Sequence, residues 1–328
     1  MRYARSGKVL RFGVVCQLVL ACSSPPPAQA PEAPPGDEPA LTDEPAEPSG
    51  FRAGTDAIGA GDFEKARGIF EKVVAEQPSN AKAHFYLGVA QQNLGQGEPA
   101  IASYEKALSL EPKLTEASVN LTAALLDAGD AARAAPVIDR ALANEPGHPG
   151  LLYNRAIAAS LLGKKTEAVR AYREALAADP QNVEIKYGYA EALVGAGSTS
   201  EAKKLLAELT QSDDVAVLAS SARLLGRLED FDGCIAALNE AIEKQASAEL
   251  FVARGLCQHG KKDEKAALAD FKGAVEKDAS YAPGHYYLGM HLKTAGKKKE
   301  ARAALSRAAE LGGDSGVGKA AKHALEGL

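Results

Sequence analysis

The chain has no tryptophan, two methionines, four cysteines and six histidines in 328 residues. Two of the cysteines, Cys16 and Cys22, stand within the first 22 residues, which leaves only Cys234 and Cys257 in the rest of the chain. The histidines, His84, His148, His259, His285, His291 and His323, are scattered, and His285 and His291 are six apart. That spacing does not put two ligands on one helical face, so no metal site is expected. A phosphate loop is also missing. Gly312, Gly313, Gly316 and Gly318 precede Lys319, but no strand leads into them and the spacing is wrong. No catalytic residue and no cofactor are expected. Nor is there an excess of positive charge: the net charge is −5, which argues against nucleic acid as a partner. Residues 12–21 are mostly apolar but too short to span a bilayer.

What the chain does have is a period. A small residue falls at Ala66, Ala100, Ala134, Ala168, Ala202, Cys234, Ala267 and Ala301, at intervals of 34, 34, 34, 34, 32, 33 and 34. Four residues later stands a bulky apolar side chain: Phe70, Tyr104, Ile138, Tyr172, Leu206, Leu238, Phe271 and Leu305. Three further on come Val73, Ala107, Ala141, Ala175, Leu209, Ala241, Ala274 and Ala308. Spacings of four and seven put all three on one helix face. The small residue lets two helices approach closely, and the large one fills the groove beside it. The clearest unit is 81–114, two amphipathic runs around a glycine turn, closed by Pro112. Alanine-, leucine-, glutamate- and lysine-rich composition suits helices throughout. A stack of such units also solves the problem of building one core from so long a chain, because each buries its face on its neighbours.

This pattern resembles the tetratricopeptide repeat family. The resemblance implies an all-α solenoid of about eight helix-turn-helix repeats in a right-handed superhelix. The array covers 49–313, with repeats at about 47–80, 81–114, 115–148, 149–182, 183–214, 215–247, 248–281 and 282–315. A capping helix is expected in 314–328, and in the family such caps cover the last exposed face.

Ahead of the array lies a different chemistry. Residues 1–11 carry Arg2, Arg5, Lys8 and Arg11 and no acid, and the apolar run ends Val19, Leu20, Ala21, Cys22. This resembles a bacterial lipoprotein signal, with 1–21 removed and Cys22 lipidated; an ordinary cleaved leader or a retained anchor is the alternative. Losing the leader moves the net charge to −9. Several acyl chains hold a protein stably where one does not. Ser23 after the cysteine suggests the outer membrane, by analogy with lipoprotein sorting. Residues 23–48 then hold nine prolines, six acids and no base. They lack the apolar surface needed to fold, so 22–48 reads as a tether, reaching roughly 80 Å at about 3.1 Å per residue.

Within the array, several departures carry expectations. Gly50, Gly54 and Gly59 should fray the first helix. Pro136 should delay or kink the second helix of the third repeat. Arg155 and Arg254 at a normally apolar seventh position imply looser packing. Gly188, Gly195 and Gly197 with the broken spacing suggest a seam across 195–215, between halves 47–212 and 215–315. Cys234 stands where alanine is expected and reads as a small core residue, but it and Cys257 lie on adjacent helices, so a disulfide between them is possible.

In the family, the leading helix of each repeat lines a concave groove, and here its inward positions carry Phe85, Asn120, Tyr153, Asn154, Tyr187 and Tyr286. Asparagine amides at this place can read a peptide backbone, and aromatics add apolar contact; the other reading is interhelix packing. The resemblance therefore implies a non-enzymatic scaffold, binding a protein or peptide and held to the bacterial envelope by lipid, facing the periplasm. Its architecture is like that of pilotins and of adaptors for peptidoglycan enzymes, an analogy only. A rival reading gives the basic rim at Lys164, Lys165, Lys203, Lys204, Lys261, Lys262, Lys297, Lys298 and Lys299, with the groove tyrosines Tyr153, Tyr187 and Tyr286, to a cell-wall glycan or other anionic ligand. A solvated edge is its bland counterpart.

Overall fold

The computed structural model describes residues 50–328, all helix and turn with no strand among them. The expected leader, Cys22 and the tether lie outside the described residues. The described chain divides into two compact units, 50–164 and Lys165–Leu328.

The first unit runs α1 (Phe51–Gly59), α2 (Phe63–Glu76), α3 (Ala81–Asn93), α4 (Gly97–Leu110), α5 (Thr115–Asp127), α6 (Ala131–Asn144) and α7 (Pro149–Leu161). The second runs α8 (Lys165–Ala178), α9 (Val183–Ala196), α10 (Thr199–Leu209), α11 (Val215–Arg227), α12 (Phe231–Lys244), α13 (Ala248–Gly260), α14 (Glu264–Lys277), α15 (Ala282–Thr294), α16 (Lys298–Gly312) and α17 (Gly316–Glu326). Odd-numbered helices lead each repeat and even-numbered ones trail. The final helix, α17, packs on α15 and α16 where the cap was expected.

Many of the helices begin at a side-chain cap. Asp62, Asn80, Asp130, Asn182, Asp230, Ser247, Asp263 and Ser315 each accept a hydrogen bond from a backbone N–H of the first turn they precede. The turn inside each repeat needs a left-handed residue. Gly61, Gly95, Gly129, Gly163, Gly197 and Gly296 supply it, all at φ between 72° and 82°. In the sixth and seventh repeats the same position is held by Glu229 (φ 56°) and Lys262 (φ 69°).

The repeated small and large residues form the core. Ala66, Ala100, Ala134, Ala202, Ala267 and Ala301 are fully buried, as are Phe70, Tyr104, Ile138, Leu206 and Leu305. In several repeats the leading helix has no room for a Cβ opposite the large side chain. One built on Gly54 would lie 2.7 Å from Phe70, on Gly88 2.6 Å from Tyr104, and on Gly255 2.6 Å from Phe271. Contacts this short require a glycine.

Leading helices touch one another in sequence: α1 to α3 to α5 to α7 in the first unit, and α9 to α11 to α13 to α15 in the second. No comparable contact joins successive trailing helices among the described residues. Each unit therefore places its leading helices on the tight inner side of the row.

Packing details bear on four of these expectations. The glycine-rich first helix is pinned at its start by Phe51, which is buried, edge-on to Phe70 at 5.6 Å and to Tyr86 at 5.5 Å. Pro136 causes no late start, because α6 begins at Ala131 behind the Asp130 cap. Ala132, whose carbonyl Pro136 leaves without a helical donor, is exposed with Pro136 itself, so water is at hand. Gly188 does not loosen α9; a Cβ there would meet the Tyr172 ring at 2.6 Å, so it is a close-contact glycine. Lastly, the division falls between Lys164 and Lys165, while 195–215 lies inside the second unit, with α9, α10 and α11 in mutual contact.

Candidate partner-binding face

The inner row presents the side chains that a partner lying along the leading helices would meet. Of the six residues expected there, the structure buries three. Phe85 is a core side chain, 5.0 Å from Tyr86 and 6.0 Å from Tyr104 between ring centroids. Asn154 is 3% exposed, and its amide donates to the Val119 carbonyl at 3.2 Å and to Thr122 Oγ1 at 2.8 Å, tying α7 to α5. Asn120 is also enclosed, its amide directed at the Tyr104 hydroxyl at 3.5 Å. These asparagines serve the contact between repeats, since a buried amide must find partners inside the protein.

The remaining three differ. Tyr286 packs, with Met290, against the cluster of Leu305, Ala308, Ala309, Ala321 and Ala324, so it supports the α17 cap. Tyr153 is half-buried on α7, and Val119 and Ile157 are half-buried on leading helices of the same unit. Tyr187 is half-buried on α9, with its hydroxyl accepting from Arg223 Nη2 on α11. Burial pushes the Tyr187 phenol above its ordinary pKa, so it stays protonated.

One turn along, Arg227 on α11 faces Glu191 on α9 at 3.7 Å. Tyr187 and Glu191 are four apart, Arg223 and Arg227 are four apart, and each pair is joined across 36 residues. This polar ladder lies on the inner side of the second unit, and Arg223 and Arg227 are exposed. The repeat motif does not reveal it. Its signal in the sequence is two spacings of four, one repeat apart.

The seventh-position arginine is also better housed than its chemistry suggested. Arg254 donates through Nε to Asp270 Oδ2 at 2.8 Å and through Nη2 to Oδ1 at 2.6 Å, while Nη1 reaches Asn239 at 2.7 Å. Its guanidinium carbon lies 5.5 Å from the Phe251 ring centroid. Asp270 is buried. The hydrogen bonds to Asp270 raise the arginine's pKa further, against desolvation. This forked pair replaces apolar packing rather than loosening it.

Cys234 on α12 and Cys257 on α13 are joined in a disulfide, with Cα atoms 6.3 Å apart. Elsewhere on the second unit the basic rim is partly neutralised: Lys203 pairs with Asp230 at 3.0 Å and Lys261 with Asp232. No helix among the described residues is long and apolar enough to cross a membrane. In the second unit His259, Glu264 and His291 also meet, although none of them shares a helix with another.

Two tetratricopeptide repeat family models match the chain, at residues 55–211 and 220–283, together more than half of it. No curated protein matches it. Among solved structures, a tetratricopeptide repeat protein from Parabacteroides merdae is 20% identical with a TM-score of 0.55, covering 74% of this chain and 97% of its own. PilF from Pseudomonas aeruginosa is 18% identical with a TM-score of 0.53, covering 65% of this chain and 95% of its own. Yeast Tom70 is 17% identical with a TM-score of 0.52, covering 81% of this chain and 58% of its own. At such identities these likenesses speak for fold alone. With the repeat register, the paired helices and both matched segments in agreement, the chain belongs to the tetratricopeptide repeat family.

Proposed function

We propose that this protein is a non-enzymatic scaffold of the bacterial envelope that holds a segment of a partner protein along its leading helices. Tetratricopeptide repeat proteins generally mediate protein–protein interactions. The observation that carries the reading is the inner row itself. Its leading helices touch in sequence, and they leave half-exposed apolar groups (Val119, Tyr153, Ile157) in one unit and a polar ladder (Tyr187, Arg223, Glu191, Arg227) in the other. Taken by itself, the first patch suits apolar side chains of a partner, and the second offers hydrogen-bonding groups to a partner's polar groups.

Anchoring through Cys22 and the proline-rich tether would confine the search for that partner to one membrane surface, raising its effective concentration. The basic and then apolar leader, and a disulfide of the kind that persists outside the reducing cytosol, support the envelope location. The outer membrane, facing the periplasm, is the site we favour, on the serine after Cys22. The rival reading, a glycan held by the basic rim and the groove tyrosines, has less support, because Tyr286 packs against the cluster under α17 and Lys203 and Lys261 have acidic partners.

The test is site-specific photo-crosslinking in intact cells. A photoreactive residue replaces Val119 or Arg227 on leading helices, or Arg140 or Lys272 on exposed trailing ones. The expected result is one partner captured from the leading positions only. Capture from the trailing positions alone, or from none, would overturn the assignment. Metabolic labelling with a fatty acid, with Cys22→Ser as control, tests the anchor separately.

A further inference from the structure

Three helices of the second unit each bring one metal-ligating side chain to a single point. His259 lies at the end of α13, Glu264 is the first residue of α14, and His291 is on α15. Glu264 Oε2 is 2.9 Å from His259 Nδ1 and 3.4 Å from His291 Nδ1. One donor atom from each residue lies within 4.8 Å of the other two. We infer that this cluster is a binding site for a divalent transition metal of the zinc class, bridging the seventh and eighth repeats.

The geometry decides the ligand. Four-coordinate zinc with bonds of about 2.0–2.1 Å to nitrogen and oxygen sets its donors roughly 3.3 Å apart. The two measured separations bracket that value, and closing the third asks only for rotation of an exposed side chain. His259 and Glu264 are half exposed and free to adjust, while His291 is 9% exposed and fixed against Phe271, its ring centroid 5.8 Å away. One firm ligand with two adjustable ones is a workable arrangement for capture from solution. Two imidazoles and one carboxylate favour zinc, nickel or copper over magnesium or calcium, which prefer all-oxygen shells. Three protein ligands would leave a fourth position for water. Lys297 opposes the bound charge to some degree, since it is among the positive groups acting on His291. The consequence is structural: the ion would tie three helices together beside the turn where Lys262 holds a left-handed conformation.

The experiment uses the purified full chain, stripped with chelator. Zinc is titrated by calorimetry, cobalt is added for its visible spectrum, and melting is followed with and without zinc. The expected result is about one equivalent bound, a cobalt spectrum of tetrahedral intensity, and a higher melting temperature that chelator reverses. His259→Ala and Glu264→Gln, both at exposed positions, should each weaken zinc by roughly tenfold or more while leaving the metal-free circular dichroism unchanged. His291→Ala is a third variant, and because that side chain is packed the two exposed ones decide the matter. Absence of zinc binding in the wild type, or equal binding in the His259 and Glu264 variants, overturns the site.

Discussion

The two units solve the same packing problem with different chemistry. In 50–164 the helices are held mainly by aromatic contacts and neutral hydrogen bonds, with an exposed ion pair, Arg133 with Glu105 at 2.7 Å, between the second and third repeats. Phe51, Phe70 and Tyr86 form one cluster, and Asn154, Thr122 and Asn120 bridge successive repeats through amides and hydroxyls. Its turns all use glycine. In Lys165–Leu328 aromatic contacts such as Phe271 with Tyr287 remain, but more of the bridges are charged or covalent: Arg254 with Asp270, Arg227 with Glu191, Tyr189 with Glu201, and Cys234 with Cys257. Here two turns lack glycine, and the repeat spacing shortens to 32 and 33. The stronger bonds occur where the repeat pattern is weakest. Repeat arrays are stabilised by each unit and its interfaces, so a poor unit can persist if its interface is reinforced.

Cutting the covalent reinforcement is the harshest way to break this contrast. Cys234 and Cys257 are 23 residues apart, and closing a loop of that size stabilises by about 3 kcal/mol in the chain-entropy account. Reduction, or a Cys234→Ala and Cys257→Ala pair, should sharply raise amide exchange in α12 and α13 and leave 50–164 unchanged. Equal exchange in both units would show that the disulfide does not carry this region. Next in size is the ionic bridge. Asp270→Ala strands a largely buried guanidinium and should cost about 3 kcal/mol or somewhat less, because Arg254 remains 20% exposed to water. Its neutral counterpart, Asn154→Ala, should cost only about 1 kcal/mol. Thr122 Oγ1 keeps its own bonds to the Ser118 and Val119 carbonyls, so little is left unsatisfied. Urea melts of the two variants read the difference, and a larger loss from Asn154→Ala would reverse the ranking.

The repeat is legible in the sequence because a period of 34 residues repeats both the small and the large core positions, so departures at single sites do not obscure it. The glycine at the tight helix contact is readable for the same reason at Gly88, Gly255 and Gly289, each placed eighth in its unit. Side-chain direction is less legible. Asn120 and Asn154 sit next to the inward face, and a rotation of one residue decides whether an amide meets a partner or a neighbouring helix. Gly188 hides its role for a related reason: its contact, Tyr172, belongs to the preceding repeat. His259, Glu264 and His291 escape any search for ligands on one helix, because three helices supply one each. Pairing of the two cysteines stays open from sequence, since adjacency of helices is necessary but not sufficient for it.

The smallest expected effect sharpens the comparison from the other side, by repairing the second unit instead of damaging it. Glu229 holds φ at 56° in the turn where most other repeats have glycine. A left-handed conformation costs a residue with a Cβ about 1–2 kcal/mol relative to glycine. Glycine also gains freedom in the unfolded chain, which takes back about 0.4–1 kcal/mol. Glu229→Gly should therefore stabilise by about 0.5–1 kcal/mol, seen as slower amide exchange at the ends of α11 and α12. The Glu229 side chain is exposed, and its carboxylate has no hydrogen bond or ion pair among the described residues, so no compensating loss is expected. The reverse change in the first unit, Gly129→Glu at φ 80°, should destabilise by a similar amount. If both substitutions lower stability, then Glu229 is held in place by more than the backbone, and the weakness assigned to the sixth repeat lies elsewhere.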